Sequence, residues 1–221
     1  MNVYDFNSHA YEASRCAPSD PRLAVVLPWV GTGRDVLDLG CLDGTIGQLF
    51  VHQGNRVTGI DASRNALETA RARGLDARLG NLDEPLPFAD ASFDIVFAGE
   101  IIEHVAHANA FASEAFRVLR PGGAFIVTTP NLAALGRRLL LLVNRNPHIE
   151  TDFSLPHAAG HVRYFIAETL SALLRRGGFE IQTLASDVVN FNAAGSVCSK
   201  RLARWFPSLG RTLIVNAQKP N

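Results

Sequence analysis

The chain has 221 residues, 47% of them hydrophobic, enough to bury one sizeable core and typical in length of a single α/β domain, residues 1–221. Lys and Arg number 21 against 21 Asp and Glu, which excludes a global basic field for nucleic acid or anionic membrane and leaves such partners to local patches. Cys16, Cys41 and Cys198 are too scattered for a disulfide framework or a zinc site, and no basic-then-apolar leader opens the sequence, so a reducing cytoplasm is expected.

Residues 1–20 are polar and carry Tyr4, Phe6, His9 and Tyr11. With a helix opened by Pro21 over 22–29, they form an N-terminal segment, 1–30, expected to cap a ligand mouth; a terminus packed loosely on the domain is the alternative. Residues 36–44, VLDLGCLDG, read as a buried strand that breaks into a glycine turn and restarts as a helix to about Gln53. Strand VTGID follows, then a helix capped by Ser63 and ended by Gly74, a short strand from Asp76, and a buried strand over 93–98. An amphipathic helix from Asn109 or Ala110 to Leu119 turns through Pro121, Gly122 and Gly123 into strand AFIVTT. An apolar helix over 131–144 and a histidine-rich segment up to Tyr164 then interrupt the pattern, which marks 131–165 as a lid and acceptor insertion. A helix over 167–176, strand FEIQTLAS, a helix over 193–206 and strand RTLIVNAQK complete the chain. Strand alternating with helix is the signature of a parallel α/β sheet.

Asp38 and Asp61 each end a strand with a carboxylate, about 20 residues apart, the spacing at which the second acid can hydrogen-bond a ribose diol. The dinucleotide pattern G-x-G-x-x-G fails at Leu42, which speaks against a dehydrogenase. Asp38 and Asp43 near the turn repel a pyrophosphate and suit a ligand bearing sulfonium and ammonium groups, and S-adenosylmethionine carries both.

The motifs, taken together, resemble the class I S-adenosylmethionine-dependent methyltransferases, in particular the small-molecule methyltransferase type 11 group related to ubiquinone-biosynthesis enzymes. VLDLGCLDG resembles the first motif, IDAS the ribose acid, GNLDEPLPF the adenine loop, FDIVFAGEIIEH the fourth strand, LRPGGAFIVTTPN the fifth, and GHVRYF the lid. The resemblance implies a Rossmann-like three-layer sandwich with a seven-stranded, mostly parallel sheet of order 3-2-1-4-5-7-6, the last strand antiparallel. It implies a cofactor set of Asp38, Gly40, Cys41, Leu42, Gly44, Asp61, Ala62, Asn81, Leu82 and Glu100. Within it Asp61 binds the ribose hydroxyls, Asn81 with the Leu82 amide reads adenine, and Glu100 sits at the methionine end. Leu42 and Asn81 depart from the family pattern, which more often has glycine and aspartate there. Asp61→Ala is accordingly expected to weaken cofactor binding with little effect on folding.

Methyl transfer needs orientation and, for a hydroxyl acceptor, removal of one proton, so histidine is the natural candidate base. His161 in the lid and His104, expected to begin the helix after strand four, are the catalytic candidates, with His157 nearby. No metal is assigned, although Glu100, Glu103 and His104, spaced by three and four residues, would share a helix face and leave a metal-dependent enzyme as an alternative. The expected function is O-methylation of a small lipophilic, natural-product or glycan-type acceptor, releasing S-adenosylhomocysteine. No nucleic-acid partner or membrane-spanning segment is expected, and a homodimer is left open. A non-catalytic cofactor-binding partner of another enzyme is the alternative from a different class. Residues 139–143, too short for a span of about 20 residues and too apolar for solvent, are expected to line the acceptor cavity.

Overall fold

The computed structural model describes residues 20–147, 149, 160–192 and 196–221; the N-terminal aromatics, Cys16, His148, Pro156 and His157 lie outside them. Among the described residues the chain forms α1 (Leu23–Val30), β1 (Asp35–Leu39), α2 (Thr45–His52), β2 (Arg56–Asp61), α3 (Arg64–Ala72), β3 (Asp76–Leu79) and β4 (Phe93–Gly99). It continues through α4 (Ala108–Val118), β5 (Leu119–Pro130), α5 (Leu135–Leu142), α6 (Ala167–Arg176), β6 (Glu180–Ala185), the short β7 (Val189–Asn190) and β8 (Cys198–Ser199), α7 (Lys200–Trp205) and β9 (Thr212–Gln218).

Seven strands form one sheet in the order β3-β2-β1-β4-β5-β9-β6. The strands from β3 to β5 pair in parallel, and β9 runs antiparallel between β5 and β6. The expected order is therefore met, with β9 as the last strand. A separate hairpin of β7 and β8 pairs Val189 with Ser199 and Asn190 with Cys198. The helix expected over 193–206 is corrected accordingly. Its described part holds a strand residue pair before α7, because Cys198 and Ser199 satisfy their backbone against β7 and Ser199 then caps α7 by accepting from the Leu202 amide.

Both sheet faces are covered, which is why β1 and β4 are nearly continuous apolar runs. Phe111, Phe125 and Phe179 meet on the face under α4 and α6, and Phe50 meets Phe97 edge-on, with centroids 5.3 Å apart, on the face under α1, α2 and α3. Gly47 is required by this packing: a Cβ there would lie 2.6 Å from Leu75 Cδ2. Ser63 caps α3 as expected, its hydroxyl accepting from the Ala66 amide. Because chain order reverses direction in the sheet between β1 and β4, the loops leaving their carboxyl ends diverge and open a crevice.

The segment after β5 is more limited than the sequence predicts. Its helix covers only Leu135–Leu142, and Leu139, Leu141, Leu142 and Val143 are exposed instead of lining a cavity. The helix docks through Gly136, where an added Cβ would lie 3.3 Å from the Asn190 carbonyl. That contact turns the leucine side outward. No helix among the described residues is long and apolar enough to cross a membrane.

Candidate active site

A cavity of about 760 Å³ occupies the crevice at the carboxyl ends of β1 and β4. The end of β1 supplies Asp38, and the turn after it Gly40, Cys41, Leu42 and Asp43. The turn closes because Gly40 has φ +75° and its amide donates to the Ile60 carbonyl at 2.8 Å. Leu42 also adopts a left-handed backbone, φ +45°, which explains why glycine is common at this place in the family it resembles. Its amide donates to Asp61 Oδ2 at 2.9 Å, while Asp61 Oδ1 accepts from the Ser63 amide at 2.7 Å. Asp61 is thus a buried brace between two turns.

Glu100 ends β4 with φ +55°, a strained backbone for a non-glycine residue, held by its amide donating to the Thr128 carbonyl at 3.0 Å. Its carboxylate accepts from the Thr128 hydroxyl at 2.9 Å and pairs with Arg22 at 3.2 Å. Arg22, buried at the start of α1, also pairs with Asp20. This arginine escaped sequence reasoning because no local motif marks a side chain that reaches β4 and β5 from the other end of the chain.

Glu103 and His104 follow in a turn, not at a helix start as the sequence suggests, so the shared helix face expected for Glu100, Glu103 and His104 does not exist. The left-handed Glu100 breaks the helical path before it begins. The turn is held instead by residues 160–165. The amides of Val162 and Arg163 donate to the Glu103 carbonyl, and the Arg163 guanidinium donates to the carbonyls of Val105 and Ala106. This docking sets the His161 ring 4.8 Å, centroid to centroid, from His104. His104 Nδ1 lies 3.3 Å from the Gly160 carbonyl. A carbonyl only accepts, so in this contact Nδ1 is the donor, which fixes the tautomer of a neutral ring. Glu103, His104 and His161 bring ligand atoms within 4.8 Å of one another, a grouping that could also hold a metal ion.

Both catalytic candidates therefore line the cavity, as do Asp38, Gly40, Cys41, Leu42 and Glu100 of the expected cofactor set. Gly44, Asp61, Ala62, Asn81 and Leu82 do not line it. Gly44 caps α2 against Ala70, the Ala62 backbone hydrogen-bonds toward the Asp61 carboxyl, and Leu82 is buried. Asn81 Oδ1 accepts from the Asp83 amide, and its Nδ2 donates to Glu84.

The cavity is rich in strained acid chemistry. Burial, reinforced by the nearby Asp61 charge, pushes the Asp38 carboxyl up to about 7. Burial, then the Glu100 charge, pushes Glu103 up to about 8, and burial raises Glu100 against the opposing pull of Arg22. Glu103 Oε2 accepts from the Thr129 hydroxyl, but Glu103 Oε1 and Asp38 Oδ2 are buried without a hydrogen-bond partner. Burial also pushes the Cys41 thiol up, which leaves it an inert packing group.

The Asp38 shift has a measurable consequence. An acid whose folded pKa lies near 7 binds its proton more tightly folded than unfolded, so its stabilising contribution is complete below about pH 4 and is lost as pH rises to 7. Ligand-free protein is expected to lose up to about 1.4 kcal/mol per pH unit from this group between pH 5 and 7. Asp38→Asn should flatten that slope in denaturant titrations. An identical slope in both proteins would show that Asp38 is ionised throughout.

The fold and site define a class, and comparison with known proteins agrees: a family model described as a methyltransferase domain matches residues 37–127. Over residues 37–127 the chain carries a methyltransferase domain, and it is similar to the S-adenosylmethionine-dependent methyltransferases, with the class I fold. It is 40% identical over 152 residues to a probable S-adenosylmethionine-dependent methyltransferase of Mycolicibacterium smegmatis, across 68% of this chain and 53% of that protein. It is 27% identical over 169 residues to the mitochondrial ubiquinone biosynthesis O-methyltransferase of Homo sapiens, across 72% of this chain and 44% of that protein. The chain thus spans about half the length of these curated relatives. Among solved structures it is similar in fold, with TM-score 0.65 and 19% identity, to the 1,6-didemethyltoxoflavin-N1-methyltransferase of Burkholderia thailandensis. That alignment covers 99% of this chain and 87% of the other, whose structure holds 1,6-didemethyltoxoflavin and S-adenosylhomocysteine.

The residues present fit S-adenosylmethionine. Asp38 Oδ2 is a buried acceptor lacking a donor, and five acids, Asp20, Asp38, Asp43, Glu100 and Glu103, line the cavity against three arginines. A ligand bearing two cationic groups offsets the charge that burial otherwise penalises.

Proposed function

We propose that this protein methylates an oxygen of a small acceptor held in the 760 Å³ cavity, with the His104 and His161 pair taking the acceptor's proton. The observation that carries the reading is the convergence of that pair, one member with its tautomer set by the Gly160 carbonyl, on the cavity that holds Asp38 and Glu100. Bound S-adenosylmethionine would supply an electrophilic methyl group on a sulfonium. Asp38, Glu100 and the Gly40 to Leu42 turn would hold its cationic end, and Asp61 its ribose. Unpaired Cys41 and Cys198 suit a reducing cytoplasm.

Because mass action stabilises only a ligand the folded state binds, S-adenosylhomocysteine at about 100 times its dissociation constant should raise stability by about 2.7 kcal/mol, and NAD should not. Equal shifts would remove the cofactor assignment. Binding followed by no methyl release to any hydroxyl acceptor would favour the partner-module reading.

A second reading is favoured by the placement of Glu103, His104 and His161, an oxygen and two imidazoles suited to a divalent transition metal that would orient the acceptor oxygen. A chelator decides between the two. Activity intact after chelation supports the histidine base; activity lost and restored by a divalent ion supports the metal.

A further inference from the structure

Among the described residues, the arginines around the cavity are matched except for Arg137. Arg22 pairs with Glu100 and Asp20, Arg211 pairs with Asp187, and Arg163 donates to two carbonyls. Arg137 also lines the cavity, yet its Nη1 is fully shielded from solvent and has no hydrogen-bond partner. Neighbouring Arg138 shows the contrast: it is exposed and donates to the Ala133 carbonyl at 2.6 Å. The docking of α5 through Gly136 onto Asn190 fixes this phase, one arginine inward and one outward. Burial lowers the Arg137 pKa and outweighs the opposing pull of Tyr164 and Glu100, as for a cation removed from water with no direct ion pair.

A shielded guanidinium donor with no acceptor is stabilised when a ligand brings an oxygen anion, and its planar fork matches carboxylate and phosphate oxygens. We infer that Arg137 binds an anionic oxygen group, carboxylate or phosphate, on the methyl acceptor, so that the substrate is a hydroxy acid or a phosphate ester rather than a neutral molecule. This rests on the methyltransferase reading of the cavity. The cofactor's sulfonium and ammonium suit the cavity acids, whereas its methionine carboxylate is the competing partner for this guanidinium, so a loss of S-adenosylhomocysteine affinity in Arg137→Gln would assign Arg137 to the cofactor and overturn the inference.

The test uses the full chain saturated with S-adenosylhomocysteine, and measures binding of 4-hydroxybenzoate, 4-hydroxyphenyl phosphate and neutral 4-hydroxybenzamide by ligand-observed NMR. At least one anion should bind about tenfold more tightly than the amide, and the stronger of the two anions distinguishes carboxylate from phosphate. Arg137→Gln should abolish the preference and leave S-adenosylhomocysteine affinity unchanged. Its ligand-free thermal midpoint should be no lower than that of the wild type, since no hydrogen bond is lost. Equal binding of all three probes, no binding at millimolar concentration, a preference that survives in the variant, or competition between the anions and S-adenosylhomocysteine would each overturn the inference. Failure of the wild type to bind S-adenosylhomocysteine would overturn the methyltransferase reading instead.

An independent observation lies on the outer face. Helices α5 and α7 both pack against β7, α5 through Gly136 near its start, which makes α5, the β7–β8 hairpin and α7 neighbours. Leu142 (81% exposed), Val143, Phe191, Val197, Trp205 (72% exposed) and Phe206 all face solvent there. Among them stand the exposed Arg138, Arg145, Lys200, Arg201 and Arg204, while residues 131–147 and 188–211 contain no acid in a chain whose charges balance at 21 each. Exposed aromatic and aliphatic side chains beside unneutralised bases have the composition of an interfacial membrane contact. We propose that this face rests on an anionic lipid surface.

Co-sedimentation with phosphatidylglycerol-containing and pure phosphatidylcholine vesicles tests this. Binding should occur only to the anionic vesicles, weaken in high salt, and fall at least fivefold in Trp205→Ser/Phe206→Ser and in Arg201→Gln/Arg204→Gln. Absence of binding, equal binding to both vesicles, or binding indifferent to both double variants would overturn it.

Discussion

Replacing Asp61 with Ala is expected to weaken S-adenosylhomocysteine binding by roughly 10² to 10⁴, the worth of two charge-assisted hydrogen bonds of about 1.5–3 kcal/mol each. The same substitution should also lower the thermal midpoint of the ligand-free protein, contrary to what the sequence alone suggests. Asp61 is buried and accepts from the amides of Leu42 and Ser63, with the Ala62 backbone also directed at it, so removing it orphans backbone donors at about 1–3 kcal/mol each. The Leu42 bond matters most, because it holds a left-handed leucine that has no conformational preference for that state. Calorimetry separates the two effects if affinity is measured at a temperature where the variant remains folded. An affinity equal to the wild type under those conditions would remove Asp61 from the cofactor site and leave it purely a brace. Asp61→Asn, which keeps one acceptor oxygen, should fall between the two in stability.

His161→Ala is expected to lower kcat by about 10²–10³ while leaving cofactor affinity within twofold, as for loss of a positioned general base. His104→Ala should lower kcat and also loosen residues 160–165, since its ring meets the Gly160 carbonyl and stands 4.8 Å from His161. Hydrogen exchange at Val162 and Arg163, whose amides donate to the Glu103 carbonyl, reports that loosening. Full turnover in His161→Ala would sink the base assignment.

Much of the scaffold was legible because its signals are local. The run of Val36, Leu37 and Leu39 before Gly40 marks a buried strand and turn, and Ser63 is placed to cap the next helix. Leu42 at the turn was recognisable as a departure, although its φ of +45° and its bond to Asp61 were not. Where local preference and tertiary pairing conflict, reading by pattern went astray. Residues 193–206 have helical composition, yet Cys198 and Ser199 pair with Asn190 and Val189. Glu100, Glu103 and His104 have helical spacing, yet the backbone at Glu100 turns the wrong way for a helix. The leucines of α5 are apolar enough to suggest a cavity wall, but the Gly136 contact with the hairpin directs them to solvent.

The sequence by itself determined the succession of the seven sheet strands, the glycine turn after β1, the acids at the ends of β1 and β2, and the family. The structural features rest on side-chain periodicity or on a backbone conformation that one or two adjacent residues impose, and the family on the resemblance of several motifs in order. Only the tertiary structure decided that Arg22 would meet Glu100, that His161 would stand beside His104, and that Arg137 would line the cavity with its Nη1 shielded and lacking a hydrogen-bond partner. Those contacts join residues 57 to 78 positions apart, or depend on which face of α5 is docked. They follow from how the sheet edge gathers separate loops, a consequence of packing that no local pattern encodes.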